Sequence, residues 1–413
     1  MFAPVWRAAS VVSKTGGNAL KHDGVRENGQ ECRFKDVRHK LTLPKNNSTC
    51  VHTEQEKMDE SAAKFFQSAI ETPSPSGFEE PVQALVRDYI SPFADDVRID
   101  VHGNLIASIG ETDGPRLMYA GHCDQIGMLI SYINDAGFVF AQTIGGWDPQ
   151  QLIGQPMTIW TLQGPVPAVI SRKPIHLLTP EERKKVVDLN DLWLDIGAAD
   201  GKEASEKVMI GDPVTLALRY QPLMGELVSG PGMDNKTGMW TVMEALRRAH
   251  AVPQQLRCHL HSVSTVQEEI GLRGAKTAAG SIRPEVAIAV DVTHASDCPT
   301  IDKQKQGNIA LGEGPVIFRG PNINPKVAQR LIELCEQYSI PFQLAAIGRA
   351  TPNDANVLQV HGSGVATGLV AIPNRYMHSA VEVVSLSDIH NVAQLLAEFA
   401  LALSSEDDFT PGL

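Results

Sequence analysis

Four short apolar runs, each leading into side chains that can hold a metal ion or a proton, constrain this 413-residue chain more than any other feature. They are "RLMYAGHCD" (116–124), "RCHLHSVSTVQEE" (257–269), "EVAIAVDV" (285–292) and "GVATGLVAIP" (364–373), the last followed by "NRYMH". Runs of this length with little polar alternation read as strands buried on both faces. Between and after them, "KTGMWTVMEALRRAH" (236–250) and "LSDIHNVAQLLAEFALAL" (386–403) carry helical spacing. Ahead of them, "SAAKFFQSAI" and "EEPVQALVRDYI" read as amphipathic helices around the turn "TPSPSG". Buried strands alternating with helices predict an α/β fold, a mixed sheet sandwiched by helices.

Residues 125–222 break that rhythm. Short alternating pieces such as "GFVFAQTI", "MTIWTL", "VPAVIS" and "DPVTLAL" are separated by Gly and Pro, with one helix-like piece, "PEERKKVVD". That pattern predicts a small β-rich domain, a barrel or sandwich, inserted into a discontinuous α/β domain formed by 58–124 and 223–413. Residues 1–57 differ again: basic residues outnumber acidic ones and apolar periodicity is missing, so this extension is expected to be disordered. It lacks the long apolar core of a secretory signal, and Asp23, Glu27 and Glu31 weigh against a transit peptide.

A formal charge of −12 argues against nucleic acid or an acidic membrane surface as partner. Nowhere do about 18 uninterrupted apolar residues occur, so a membrane-spanning helix is not expected. The six cysteines form no CxxC pair and no regular spacing, which favours free buried thiols and a reducing, cytoplasmic setting.

In open α/β sheets ligands gather beyond the carboxyl ends of the strands. His122 and Asp124 follow the first run, Glu268 and Glu269 the second, and Asp291 ends the third; His378 follows the fourth after a short loop, and Asp234 opens a helix in "GPGMDNKTG". Singly, each has an ordinary explanation. His122 suits a satisfied core histidine, Asp234 an N-cap, Glu268 and Glu269 a solvated pair, Asp124 and Asp291 loop caps, and His378 a surface position. Solvated faces do not explain why, Asp234 apart, these residues follow buried apolar runs. Imidazole and carboxylate suit zinc and similar divalent ions, and a carboxylate can bridge two of them. Two ions about 3.5–4 Å apart can share a hydroxide and polarise a carbonyl. Adjacent glutamates can serve one site only if the chain turns off the strand there, a turn that Gly271 permits.

The set "GHCDQIG", "MDNKTG", "VQEEIG", "VDV" and "RYMHS" resembles the M42 metallo-aminopeptidases, the TET or glutamyl-aminopeptidase-like group, from about Met58 onward. "KPIHLLTPEER" and "DLWLDIGAADGKEA" match that family's inserted domain. The resemblance implies a zinc-peptidase-like α/β domain with an inserted barrel or PDZ-like domain that serves oligomerisation. It implies two divalent metal ions, zinc or cobalt. Asp234 would bridge them, His122 and Asp291 completing one site and Glu269 and His378 the other. Glu268 would be the general base acting on a metal-bridging water, and Asp124 would orient His122, a plausible division because a ligating imidazole usually donates its other N–H to a carboxylate. Peptide substrates and a homo-oligomer, dimers assembling to a dodecamer, are implied likewise.

Two departures from the family pattern bear on substrate preference: Gln125 replaces the common Glu, and "ATPNDAN" (350–356) the usual Gly-Thr-Asp-Ala run. Three rival functions follow from other classes. An M20-like metal-dependent amidase or carboxypeptidase uses similar ligands but carries its extra domain later in the chain, whereas here the insertion lies between His122 and Asp234. A glycosidase needs two carboxylates and no metal, leaving His122 and His378 unexplained. A non-enzymatic scaffold is disfavoured by an intact Glu268 beside a full ligand set.

Overall fold

The computed structural model describes residues 58–412. The expected disorder of 1–57 therefore lies outside the described residues. In chain order the strands are β1 (Asp96–Ile99), β2 (Leu105–Gly110), β3 (Arg116–His122), β4 (Gly127–Ile133), β5 (Val139–Ile144), β6 (Pro156–Thr161), β7 (Gly164–Ser171), β8 (Trp193–Asp195), β9 (Pro213–Leu216), β10 (Gln221–Pro222), β11 (Leu227–Gly230), β12 (His259–Thr265), β13 (Val286–His294), β14 (Val316–Arg319), β15 (Gln343–Ala346), β16 (Ala366–Asn374) and β17 (Glu382–Ser385).

Eight strands form one mixed sheet in the order β1-β2-β12-β3-β13-β16-β14-β15. Its four central members, β12, β3, β13 and β16, are parallel and are the four apolar runs of the sequence. β3 explains their composition. Leu117 and Tyr119 enter the apolar layer beneath helices Glu60–Glu71, Glu80–Ile90, Met233–His250 and Leu386–Ala402. Met118 and Ala120, pointing the other way, enter the layer beneath helices Arg273–Ile282 and Asp354–Gln359. With both faces covered, alternation buys nothing and the run stays apolar. The larger layer is pinned by polar tips that find partners: Trp240 Nε1 donates to the Ala62 carbonyl at 3.0 Å, and the Tyr119 hydroxyl to the Leu396 carbonyl at 2.6 Å.

Between β3 and β10, strands β4 to β9 close an antiparallel barrel in the order β4-β5-β8-β7-β6-β9 around a core of its own. One local expectation is corrected here. "PEERKKVVD" forms only a 3-10 turn, Glu182–Lys184. The Asp188 side chain accepts from the Asn190 N–H at 2.9 Å and starts a separate turn, Leu189–Asp191, so the helix has no room to propagate. The longest helix of this region is Gly201–Lys207, where Asp200 accepts from the Glu203 N–H at 2.8 Å and Glu203 reaches back to the Ala199 N–H at 2.7 Å. Among the described residues, no helix is long and apolar enough to cross a membrane.

Candidate metal centre

Parallel strands place their carboxyl ends on one edge of a sheet, and that topology collects the candidate residues. β3 ends at His122, which lies level with Thr265, the last residue of β12. Asp291 lies near the end of β13, and His378 follows β16. Asp234 arrives with the start of helix Met233–His250. That helix can approach only because two glycines meet: a Cβ on Gly121 would lie 2.5 Å from the backbone of Gly238. Asn235 fixes its start, donating from Nδ2 to the Val290 carbonyl at 2.8 Å and accepting the Gly238 N–H at 2.9 Å.

The resulting geometry centres on Asp234. Its Oδ1 lies 3.3 Å from His122 Nε2, and its Oδ2 lies 3.2 Å from His378 Nε2. Asp291 Oδ1 is 3.8 Å from His122 Nε2, and Glu269 Oε2 is 3.3 Å from His378 Nε2. Ligand atoms of His122, Asp234 and Asp291 all lie within 4.8 Å of one another, as do those of Asp234, Glu269 and His378. Glu268 Oε2 stands 3.7 Å from His122 Nε2. Asp124 is buried behind His122. All seven residues singled out from the sequence therefore meet at one place.

Electrostatics describe a cluster short of positive charge. Burial would push the His122 imidazolium down, yet the carboxylates of Glu268, Asp124, Asp234 and Asp291 hold its proton well above the usual histidine range. Asp234 and Glu269 raise His378 to about 11. Burial pushes Glu269 up to about 7 and Glu268 well above the ordinary carboxyl range, with Asp291, Asp354 and Asp234 adding to the rise at Glu268. Burial raises Asp291 as well. Asp234 is held below its ordinary value despite burial because a histidine faces each oxygen. Buried carboxylates in excess of cations are costly unless a cation joins them. Glu269 Oε1 is also buried with no hydrogen-bond partner. Two imidazoles and several carboxylates around such an orphan fit divalent metal ions.

Two details differ from the sequence reading. Asp124 lies beyond the end of β3, and His122 Nδ1 donates to its backbone carbonyl at 3.0 Å, with the carboxylate at 3.4 Å. The carboxylate chiefly clamps the glutamate pair, accepting the backbone N–H groups of Glu268 at 3.1 Å and Glu269 at 3.2 Å and the Ser76 hydroxyl at 2.7 Å. The turn that brings both glutamates to the site begins earlier than Gly271, at Gln267, which sits at φ 56 before Gly271 at φ 122.

Several contributors were not singled out. Buried Glu382 accepts the Asp234 N–H on Oε2 and the His378 N–H on Oε1, each at 2.9 Å. Its only sequence signal is an acidic residue opening the apolar strand "EVVS". Asp354, within "ATPNDAN", accepts the Thr265 hydroxyl at 2.8 Å, and burial pushes it up to about 7. Gln125 accepts from the buried Lys236 ammonium at 2.5 Å, so this departure from the family pattern is tied into the interior.

The chain is similar to known proteins over most of its length. Over 353 residues the chain is 36% identical to the lysyl aminopeptidase of Pyrococcus furiosus, covering 84% of this chain and 99% of that protein. A TET aminopeptidase from the marine sediment archaeon Thaumarchaeota archaeon SCGC AB-539-E09 superposes with a TM-score of 0.81 at 33% identity, covering 84% of this chain and 98% of that one. The Pyrococcus horikoshii TET1 peptidase, described as able to assemble into a tetrahedron or a large octahedral shell, superposes with a TM-score of 0.74 at 30% identity over 83% and 100% of the two chains. Residues 103–395, from ahead of β3 to beyond His378, match the family described as M42 glutamyl aminopeptidase. The chain belongs to this M42 family and is a peptide hydrolase.

Proposed function

We propose that the protein is a dinuclear-metal aminopeptidase that removes N-terminal residues from peptides. The proposal rests on Asp234, whose two oxygens face different histidines and so join two ligand sets. His122 and Asp291 would hold one divalent ion with Asp234, and Glu269 and His378 the other, zinc and cobalt suiting this donor set. Such ions supply Lewis-acid polarisation of the scissile carbonyl and lower the pKa of water.

The remaining steps belong to protein groups. Glu268, buried and outside both ligand sets, is the general base: it accepts the proton of the attacking water and returns it to the leaving amine nitrogen. A carboxyl whose pKa burial has raised suits both halves of that transfer. Asp124 accepts the backbone N–H groups of Glu268 and Glu269 and so fixes the turn that carries base and ligand side by side. Water is restricted because the ligands His122, Asp234 and Asp291 are all buried.

The barrel would contribute contacts in a homo-oligomer. Tyr132, Val169, Ile175, Leu177, Val186 and Ile210 are exposed in the barrel segment, and a TET peptidase of similar fold assembles into closed shells. Chelation should abolish hydrolysis of aminoacyl anilides, and Zn²⁺ or Co²⁺ should restore it with two ions per chain by elemental analysis. Full activity in metal-free protein would reject the mechanism. Light scattering on the same sample should give a mass well above the monomer; a stable monomer would reject the assembly.

A further inference from the structure

We propose that the barrel's Gly145–Gly146 turn is a positioning element of the catalytic centre, with the Gly146 carbonyl setting the orientation of His378. This rests on the dinuclear reading above and adds a component from outside the sheet.

His378 Nδ1 lies 3.0 Å from the Gly146 carbonyl oxygen. A carbonyl only accepts, so this contact places the proton on Nδ1 and leaves Nε2 to face Asp234 Oδ2 and Glu269 Oε2. Orientation of the other ring nitrogen is how partners outside the ligand set commonly tune a metal-binding histidine. The ring needs such help. His378 sits in a loop at φ 58, and its side chain is 35% exposed, against 2% for His122. Glu382 ties its backbone N–H but does not reach the imidazole in the hydrogen-bonding pattern, where Nδ1 is taken by Gly146.

The turn is built for close approach. Gly145 sits at φ 74, and a Cβ there would lie 2.6 Å from Ile126 Cγ2 and 3.2 Å from Glu269 Oε2. A Cβ on Gly146 would lie 3.3 Å from His378 Nδ1 and 3.6 Å from its Cε1. Two successive glycines thus let the barrel backbone reach the two ligands that accompany Asp234 in one ligand set. Both sides are anchored. The turn follows β5 directly, and Trp147 Nε1 donates to the Gly127 carbonyl at 3.0 Å at the start of β4. From the opposite side Ala380, two residues after His378, is buried within the barrel's apolar cluster.

The two ligand sets therefore differ in origin. His122 Nδ1 is served by Asp124, immediately after its own strand; His378 Nδ1 is served by the barrel, 232 residues away in sequence. Disturbing the turn should weaken one metal site and spare the other.

Metal-stripped full-length protein titrated calorimetrically with Zn²⁺ tests this. Gly146→Ala adds its one close contact at the His378 ring. It should lower one of the two affinities by about 10-fold or more, the usual scale for lost outer partners, while the second affinity and the melting temperature of metal-free protein stay at wild-type values. Gly146→Val should lower the same affinity further. Gly154→Ala is the control: Gly154 lies in the barrel at φ 78, close to that of Gly145, with nothing within 4 Å of an added Cβ. It should reduce thermal stability and leave both affinities alone. Unchanged affinities in both Gly146 variants, or equal loss at both sites, would overturn the proposal. Wild-type protein binding a single ion would instead overturn the dinuclear reading, and the positioning role with it.

Discussion

Glu382→Gln offers a direct test of how the two ligand sets are held together. The carboxylate is 1% exposed, and each of its oxygens accepts one backbone N–H, from Asp234 and from His378. Glutamine keeps the shape but only one acceptor oxygen, so one of the two N–H groups must face an NH₂ group. A buried donor left unpaired costs about 1–3 kcal/mol. Burial chiefly, with the Asp234 carboxylate beside it, pushes Glu382 up to about 8, so only above that pH does the surviving bond also lose charge assistance, worth roughly a further 1 kcal/mol. The variant should therefore be destabilised by about 1–3 kcal/mol in metal-free protein at neutral pH and by about 2–4 kcal/mol above pH 8, read from the denaturant midpoint with its slope unchanged. Because both N–H groups belong to ligand-bearing residues, metal affinity should fall as well, by roughly 10–100-fold. Wild-type unfolding together with wild-type metal affinity would refute this account, since it would mean that neither backbone depends on the carboxylate.

Two further outcomes are expected. Glu268→Gln should keep near-normal metal content while kcat falls by roughly 10²-fold or more, whereas Glu269→Gln should lower occupancy at one site and respond to added metal; normal content and turnover in both would show that the proposed division between base and ligand is wrong. Away from the centre, burial chiefly, together with His259, Arg98 and Arg116, depresses His261 from 6.5 to about 3, and its Nε2 has no hydrogen-bond partner. Unfolded chains then bind a proton that the native state refuses, so His261 makes stability fall as pH drops from about 6.5 towards 3, by about 3 kcal/mol at pH 4. His261→Phe should flatten that part of the pH profile in chemical unfolding, and an identical slope in both proteins would count against the assignment.

How much of this was legible in the chain follows from the range of the forces involved. β3, β12, β13 and β16 could be read because burial on both faces leaves a local mark, an unbroken apolar run that lengthwise fits a strand. Their parallel order then carries His122, the glutamate pair, Asp291 and His378 to one edge, so residues marking run ends were enough to pick out side chains that the fold brings together, while Asp234 comes from the start of a helix. Local competition was harder to read: "PEERKKVVD" has helical spacing, but a side-chain turn at Asp188 ends it. Asp124 was identified while its main contacts were not, because those contacts reach a backbone turn 144 residues later. Glu382 and Gly146 had still less to announce them. A buried carboxylate and a glycine carry no local pattern for their partners, which become neighbours only when the barrel and β17 close over the sheet edge. Composition and periodicity thus determined the sheet and which side chains ring its edge. Tertiary closure decided which oxygen of Asp234 faces which histidine, and which backbone carbonyl holds each imidazole, because those contacts depend on distances between segments that no local stretch of sequence records.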